Sequence, residues 1–441
     1  PGIERLILPS FRSHNNSMIF SSVQKKYSSL FSIGLIVFLG IGFYFHTLFF
    51  GYTYFDDTWF VLDACKKVSD PNFSVWSLFI NPLYAGVQTD QFYRPVVLLS
   101  YVADAWMAGA NSFIYHLTNV ILHVLSSCLV FCFFSMMRYG KKLALGGGLI
   151  FLIHPLQQQV GAAITGRNDS LLAVFILVAF MAFVRLFEKP SVSLFLLHAA
   201  MFFFALCTKE NAVMLVPVCV MYGACFARGK VICRRNVLVA VIWLGVISFW
   251  YVLRQMALQG SNHVPVTEMF SYMIGNAPAL IMYIGKAFFP FHLSVWPTLL
   301  DATFIYGIAA IILVSGALIA SKHARKRYCL FGGAWFLFFL LPTFIRPSSG
   351  AMAYFLDQRM YLPLIGVIIV LFETDIVRSM SRKRSKALLA AVAYAGIITV
   401  ASYTRSFDFQ DSAHFWKNAR QTSPHTWKSV EEPFVIEAVV K

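Results

Sequence analysis

The sequence predicts an all-α polytopic membrane protein with outer-face interfacial helices. Three observations carry that expectation. Apolar runs near 20 residues recur along the 441 residues; 58% of residues are hydrophobic and only 13% charged; and the basic residues gather in short clusters between the runs. A run of ~20 apolar residues reaches across a ~30 Å hydrocarbon core. In hydrocarbon the backbone must satisfy its own polar groups, so long unbroken runs are helices and not barrel strands. Soluble domains carry about 25% charged residues.

Eleven runs fit transmembrane helices: 29–50, 112–137, 143–155, 168–187, 191–208, 211–227, 236–253, 303–320, 328–344, 361–377 and 387–404. The first is too long for a signal-peptide core and reads as a signal anchor, with Lys25 and Lys26 held inside. Segment 271–290 is apolar but carries Lys286 and ends at Pro290, so it reads as an interfacial or re-entrant helix on the outer side. The organisation is then a cytoplasmic segment 1–28, a membrane domain 29–404 with a first outer loop at 51–111, and an external polar, helical tail 405–441. The outer segment 51–111 is rich in aromatics and proline and reads as short helices lying on the membrane.

The net charge of +16 is organised by this topology. The clusters RYGKK (138–142), RGKVICRR (228–235), KHARKR (322–327) and RSMSRKRSK (378–386) all fall inside, as the positive-inside rule requires. The inside acids are Glu4, Glu188, Glu373 and Asp375, so nearly all of the 20 acidic residues face outward. Sorting does not demand an acidic outer face. No interleaved basic and aromatic surface for nucleic acid is present. The eight cysteines are scattered, mostly within apolar runs, without metal-ligand spacing.

The candidate chemistry lies on the outer face. Asp56–Asp57, in YTYFDDTWF, offers adjacent carboxylates at the point where the first span leaves the membrane. Such a pair serves as a general base or as a helix N-cap. HPLQQQVGAAITGRND (154–169) brings His154, Arg167 and Asp169 to one membrane face, as catalytic groups or as a structural ion pair. Arg94, Lys209 beside Glu210, Arg254, Arg346 and Arg359 are outer-face cations. Each alone suits a snorkelling or paired side chain; together with carboxylates they suit a lipid phosphate. His116 and His123, two helical turns apart, read as packing residues. No Walker loop, dinucleotide fingerprint, zincin motif or nucleophile elbow occurs.

These motifs in order resemble the GT-C class of membrane glycosyltransferases. The resemblance is to the branch of transmembrane and TPR-repeat O-mannosyltransferases and their bacterial relatives. It rests on FDD (55–57), YRPVVLLSYVADAWMAGANSFIYHLTNVILH (93–123), HPLQQQVGAAITGRND (154–169), KEN (209–211) and DQRMYLP (357–363). FWKNARQTSP (415–424) looks like the stretch that leads into the repeats of longer members. The resemblance implies a GT-C-type bundle of about eleven spans in the bacterial inner membrane or the endoplasmic reticulum. It implies a polyprenyl-phosphate sugar donor, mannose among the candidates, and a protein or glycan acceptor hydroxyl on the periplasmic or lumenal face. Asp56 or Asp57 maps to the acid at the acceptor. In this reading Arg94, Arg167, Lys209 and Arg359 would hold the donor phosphate, with His154, Asp169 and Glu210 in support. No cofactor is required, although some branches hold a divalent metal at such carboxylates, here Asp56 and Asp169. Gln159 and Gln358 stand where many relatives have Glu. A transporter or lipid flippase, and an inactive scaffold of the same fold, are the competing readings; a transporter would show repeat symmetry and broken helices charged at the midplane.

Overall fold

The computed structural model describes residues 29–83, 92–227, 233–258, 265–345, 354–380 and 386–426. The basic segment before residue 29, Arg346 and the tail beyond residue 426 lie outside the described residues. The described residues form helices and no strand. In chain order the main helices are α1 (Ser29–Phe49), α2 (Asp57–Ser69), α3 (Pro95–Ala108), α4 (Ser112–Met136), α5 (Lys141–Ile153) and α6 (Arg167–Glu188). They continue with α7 (Val192–Leu206), α8 (Leu215–Phe226), α9 (Arg234–Leu258), α10 (Val266–Asn276), α11 (Ala279–Phe288) and α12 (Ile305–Ala320). The last four are α13 (Lys326–Leu340), α14 (Pro363–Phe372), α15 (Lys386–Ser406) and α16 (Ser412–Thr422).

Among the described residues four helices are long and apolar enough to cross a membrane: Ser29–Phe49, Ser112–Met136, Ile164–Glu188 and Arg234–Leu258. Most of the other expected spans are shorter apolar helices, so a count of eleven continuous crossings is not what the helix lengths give. Local sequence explains the shortening. The run 361–377 is helical only over Pro363–Phe372, because the buried Glu373 and Thr374 end the helix before a separate turn, Asp375–Met380. The run 211–227 opens as a 3₁₀ turn over Glu210–Met214. The expected interfacial segment 271–290 is two helices, α10 and α11, broken at Ala277–Pro278. The first outer loop holds α2, a short turn Ser77–Ile80 and α3.

The core is aromatic. Trp335 of α13 is fully buried, its ring 5.1 Å from Phe133 on α4 and 5.3 Å from Phe180 on α6. Its indole N–H donates to the Leu362 carbonyl at 2.9 Å, which satisfies the polar tip that a buried Trp carries. Close backbone approach supplies what the hydrophobic effect cannot supply between helices in lipid. A Cβ on Gly366 would sit 2.4 Å from the Gly332 carbonyl oxygen, so α13 and α14 touch through their glycines. His123, expected as a packing residue, joins three elements: its Nε2 lies 3.1 Å from the Tyr44 hydroxyl and its Nδ1 2.7 Å from the Tyr361 hydroxyl.

Candidate active site

The expected site residues lie toward one end of the helix bundle, and several of them are buried and held by other protein groups.

The Asp56–Asp57 pair divides. Asp57 opens α2 and is buried. Its carboxylate accepts the Thr53 N–H at 2.5 Å, the Thr53 hydroxyl at 2.9 Å and the Thr58 N–H at 2.8 Å. Burial pushes the Asp57 carboxyl up from its ordinary value, against the opposing pull of these hydrogen bonds. Asp57 thus ties the preceding loop to the helix start from the first helical position, where a carboxylate also suits the helix dipole. Asp56 occupies the N-cap position, makes no capping hydrogen bond and is partly exposed. The loop is held from both sides. Phe55 stacks on Phe415 of α16 at 5.4 Å and packs edge-on to Trp296 at 5.6 Å; Phe60 stacks on Tyr101 of α3 at 5.0 Å.

Arg167 corrects the expectation that it meets a phosphate. It is completely buried, and each of its nitrogens is engaged by protein. Nε donates to Asn119 Oδ1 at 2.8 Å, Nη1 to the Ser100 carbonyl at 3.1 Å and Nη2 to the Tyr115 carbonyl at 3.0 Å. Nη2 also lies 2.5 Å from Asp104, and the guanidinium covers the Tyr101 ring at 4.3 Å. Its acidic partner is therefore Asp104, not the neighbouring Asp169. Gly166 permits the turn before it, since a Cβ there would come within 2.3 Å of the Gln159 carbonyl. Arg167→Met is expected to cost about 3–5 kcal/mol by stranding Asp104, and less when Asp104→Leu accompanies it. Thermal unfolding of the detergent-solubilised chain reads this. An Arg167→Met chain as stable as wild type that fails only in donor binding would restore the phosphate role.

Lys209 and Asp169 pair at 2.6 Å, both nearly buried, which leaves Asp169 Oδ2 without a hydrogen bond. That ammonium argues against a divalent ion on Asp169, because a cation already occupies the carboxylate's near field. Among the described residues no group of three His, Cys, Asp or Glu is spaced to hold a metal. His154 is a strut: its Nε2 meets the Ala287 carbonyl at 3.1 Å, and its Nδ1 accepts the Leu156 N–H at 3.2 Å. Arg94 reaches Glu210 at 3.3 Å, keeping an unpartnered Nε.

Arg359 differs from the rest. It is 8% exposed, and among the described residues neither of its buried terminal nitrogens has a hydrogen-bond partner. The adjacent Asp357 cannot serve it, because Lys286 holds one oxygen at 2.7 Å and Arg405 the other at 3.2 Å. Arg405 also binds Asp408 at 2.8 Å. Among the described residues Asp357 and Asp408 pair with Lys286 and Arg405, and Arg359 makes no ion pair. Gln159 and Gln358 are neutral neighbours of this turn: Gln159 Oε1 accepts the Gln358 backbone N–H at 3.2 Å, and Gln358 Oε1 has no hydrogen-bond partner among the described residues. Trp296 links this turn to the Asp56 loop, since it packs 5.5 Å from Tyr354 and 5.6 Å from Phe55.

Asp104 and the Lys286–Asp357–Arg405 triad are not among the candidate site residues expected from sequence. A lone carboxylate in the apolar stretch YVADAW and a lone lysine in ALIMYIGKAF were the available signals, since ionisable groups in such stretches require partners.

No family model matches the chain. It is similar to mouse protein O-mannosyl-transferase TMTC1, 28% identical over 182 residues, which is 38% of this chain and 19% of that protein. It is similar to human protein O-mannosyl-transferase TMTC3, 27% identical over 213 residues, 46% of this chain and 22% of that protein. The matched stretch thus amounts to about a fifth of each relative's length. Its fold is similar to that of the Archaeoglobus fulgidus oligosaccharyltransferase AglB in complex with an inhibitory peptide and a dolichol-phosphate. That likeness has a TM-score of 0.53 and 11% identity, over 87% of this chain and 56% of the other. The apo oligosaccharyltransferase of the same organism gives a TM-score of 0.54 and 13% identity over 92% and 60%.

Proposed function

We propose that this chain, which has the GT-C glycosyltransferase fold and is a relative of the protein O-mannosyl-transferases, moves a single sugar from a polyprenyl phosphate to an acceptor hydroxyl. The observation that carries the reading is the buried guanidinium of Arg359, whose two terminal nitrogens have no hydrogen-bond partner among the described residues. Buried polar groups in proteins are nearly always hydrogen-bonded, and a guanidinium fork fits a phosphate in bidentate fashion. A donor phosphate supplies the missing partner and charge. Mannose is the favoured sugar, because the curated relatives carry that activity in their names.

In the proposed step the acceptor oxygen attacks the anomeric carbon as the bond from that carbon to the phosphate oxygen breaks. The phosphate leaves with the bonding pair toward Arg359. The hydroxyl proton passes to Asp56, and the anomeric configuration inverts. Arg94 and Lys209, each already paired with a carboxylate, contribute field and not direct contact. No step runs through a metal. The chain is taken as multi-pass, in an endoplasmic reticulum or bacterial inner membrane, with the site on the lumenal or periplasmic side and residues 405–426 external.

The test is reconstitution of the chain in liposomes with polyprenyl-phosphate mannose labelled in the sugar and a Ser/Thr-rich peptide acceptor. Labelled, inverted product is expected. Donor that crosses the bilayer intact would establish the flippase reading instead, and donor left unchanged with every acceptor offered would support the inactive scaffold.

A further inference from the structure

The basic loops that sorting places on the cytoplasmic side do more than lie on the surface. Three of them converge on one cavity of about 820 Å³ at the end of the bundle opposite the candidate active site. α6 places Arg167 and Asp169 at one end and Glu188 at the other, and its 22 residues extend ~33 Å at 1.5 Å per residue. The cavity is therefore about one hydrocarbon thickness from Arg359's side of the membrane.

Arg138, Arg235, Lys326 and Arg327 line it, together with Arg325. Arg325 is committed to the fully buried Glu373, with Nη2 at 2.5 Å, and Arg378 shares that carboxylate. Of the other four, Arg235 covers the Phe187 ring at 3.8 Å and bonds the side chain of Asn236 at 3.0 Å. Among the described residues Arg138, Lys326 and Arg327 make no ion pair. Glu188 is the acidic residue among the lining groups. The walls between the charges are apolar and aromatic: Phe187, Tyr222 and Phe226. Arg138 is held with φ of 60°, a left-handed conformation uncommon outside glycine. A charge that only sorting required would need neither a shared cavity nor a strained backbone.

We infer that this cavity binds the headgroup of an anionic phospholipid of the cytosolic leaflet, its phosphate held by Arg138, Lys326 and Arg327 and its upper acyl chain by Phe187 and Phe226. The charge excess selects an anion. The aromatic walls, at the helix ends where the bilayer begins, select one that carries a lipid tail over a free phosphate. The cytosolic leaflet supplies such headgroups.

The test uses the full chain purified in neutral detergent and titrated with dioleoyl-phosphatidylserine, dioleoyl-phosphatidylcholine or inorganic phosphate, with bound lipid counted by native mass spectrometry. Phosphatidylserine should bind, and Arg138→Gln, Lys326→Gln and Arg327→Gln combined should weaken it roughly 100-fold. Lys141→Gln, Lys142→Gln and Lys322→Gln combined, on the same face but off the cavity, should retain the wild-type affinity. Should the first triple variant fail to fold, Arg138→Gly removes one cation and suits the left-handed backbone. It should lose about 5-fold in affinity at unchanged or higher thermal stability. Equal losses in both triple variants would reduce the effect to general surface charge. Equal binding of phosphatidylcholine, or full competition by millimolar phosphate, would overturn the anionic-lipid assignment.

Discussion

Asp56→Asn is expected to fold, insert and melt like the wild-type chain and to lose ~10²–10⁴-fold in transfer, the usual contribution of a positioned base. Asp57→Asn should do the opposite. Its side chain sits between the Thr53 and Thr58 donors, and an amide nitrogen turned toward either would face another donor. The loop should loosen, thermal stability should fall by about 1–3 kcal/mol, and the residual activity should track the folded fraction. The two variants also differ in pH behaviour. A carboxyl raised by burial binds its proton more readily in the folded chain, so its contribution to stability is present at low pH and is lost as pH rises through the folded value. Asp57→Asn should flatten that part of the stability profile, whereas Asp56→Asn should leave it. The measurements are labelled-sugar transfer and thermal unfolding across pH 4–8 on the same preparations. Wild-type turnover in Asp56→Asn would end its role as base. Wild-type stability in Asp57→Asn would end its role as a strut.

Arg359 gives the second large effect, and its sign separates function from scaffold. Arg359→Met removes a buried cation that has no hydrogen-bond partner on either terminal nitrogen among the described residues. The donor-free chain should therefore become more stable, by about 1–3 kcal/mol, because an unpaired buried charge gives way to an apolar side chain of similar length. Donor use should be lost. Arg359→Lys, which exchanges a planar two-point contact for a point charge, should raise the donor KM about 10–100-fold. Trading stability for a strained, needy site is a common property of active sites. The checks are thermal unfolding without donor and initial rates against polyprenyl-phosphate mannose. A less stable Arg359→Met chain, or Arg359→Lys with unchanged KM, would mark the residue as structural.

The neutral Gln159 and Gln358 bear on the same point. A carboxylate at either position would add negative charge beside this turn and so offset part of the Arg359 charge that the donor would otherwise meet. With glutamines, the fork has no resident anion among the described residues. Their presence is compatible with an active enzyme, because the role they lack is not one the proposed step uses.

How far the sequence carried the reading depends on the range of each interaction. The four long apolar helices, the helical outer loop and the packing role of His123 were legible, since periodicity, run length and apolar surroundings are local properties. The break of α14 at Glu373 was less so, because apolar content over 361–377 gives no sign of the acidic residue's Arg325 and Arg378 partners. The convergence of the basic loops on one cavity was hidden, since each loop was explained singly by sorting.

By itself the sequence determined that this chain is a helical membrane protein, and which motifs could carry chemistry. Composition and order fix both, because crossing a bilayer is a constraint each segment meets alone. Only the tertiary structure decided which charges are spent and which remain. It gave Arg167 to Asp104, Lys209 to Asp169 and Asp57 to its own loop, and left Arg359 with an unfilled fork. Ion pairing and burial join residues far apart in the chain, and the strength of a charge in a low-dielectric site depends on the partners that folding brings to it.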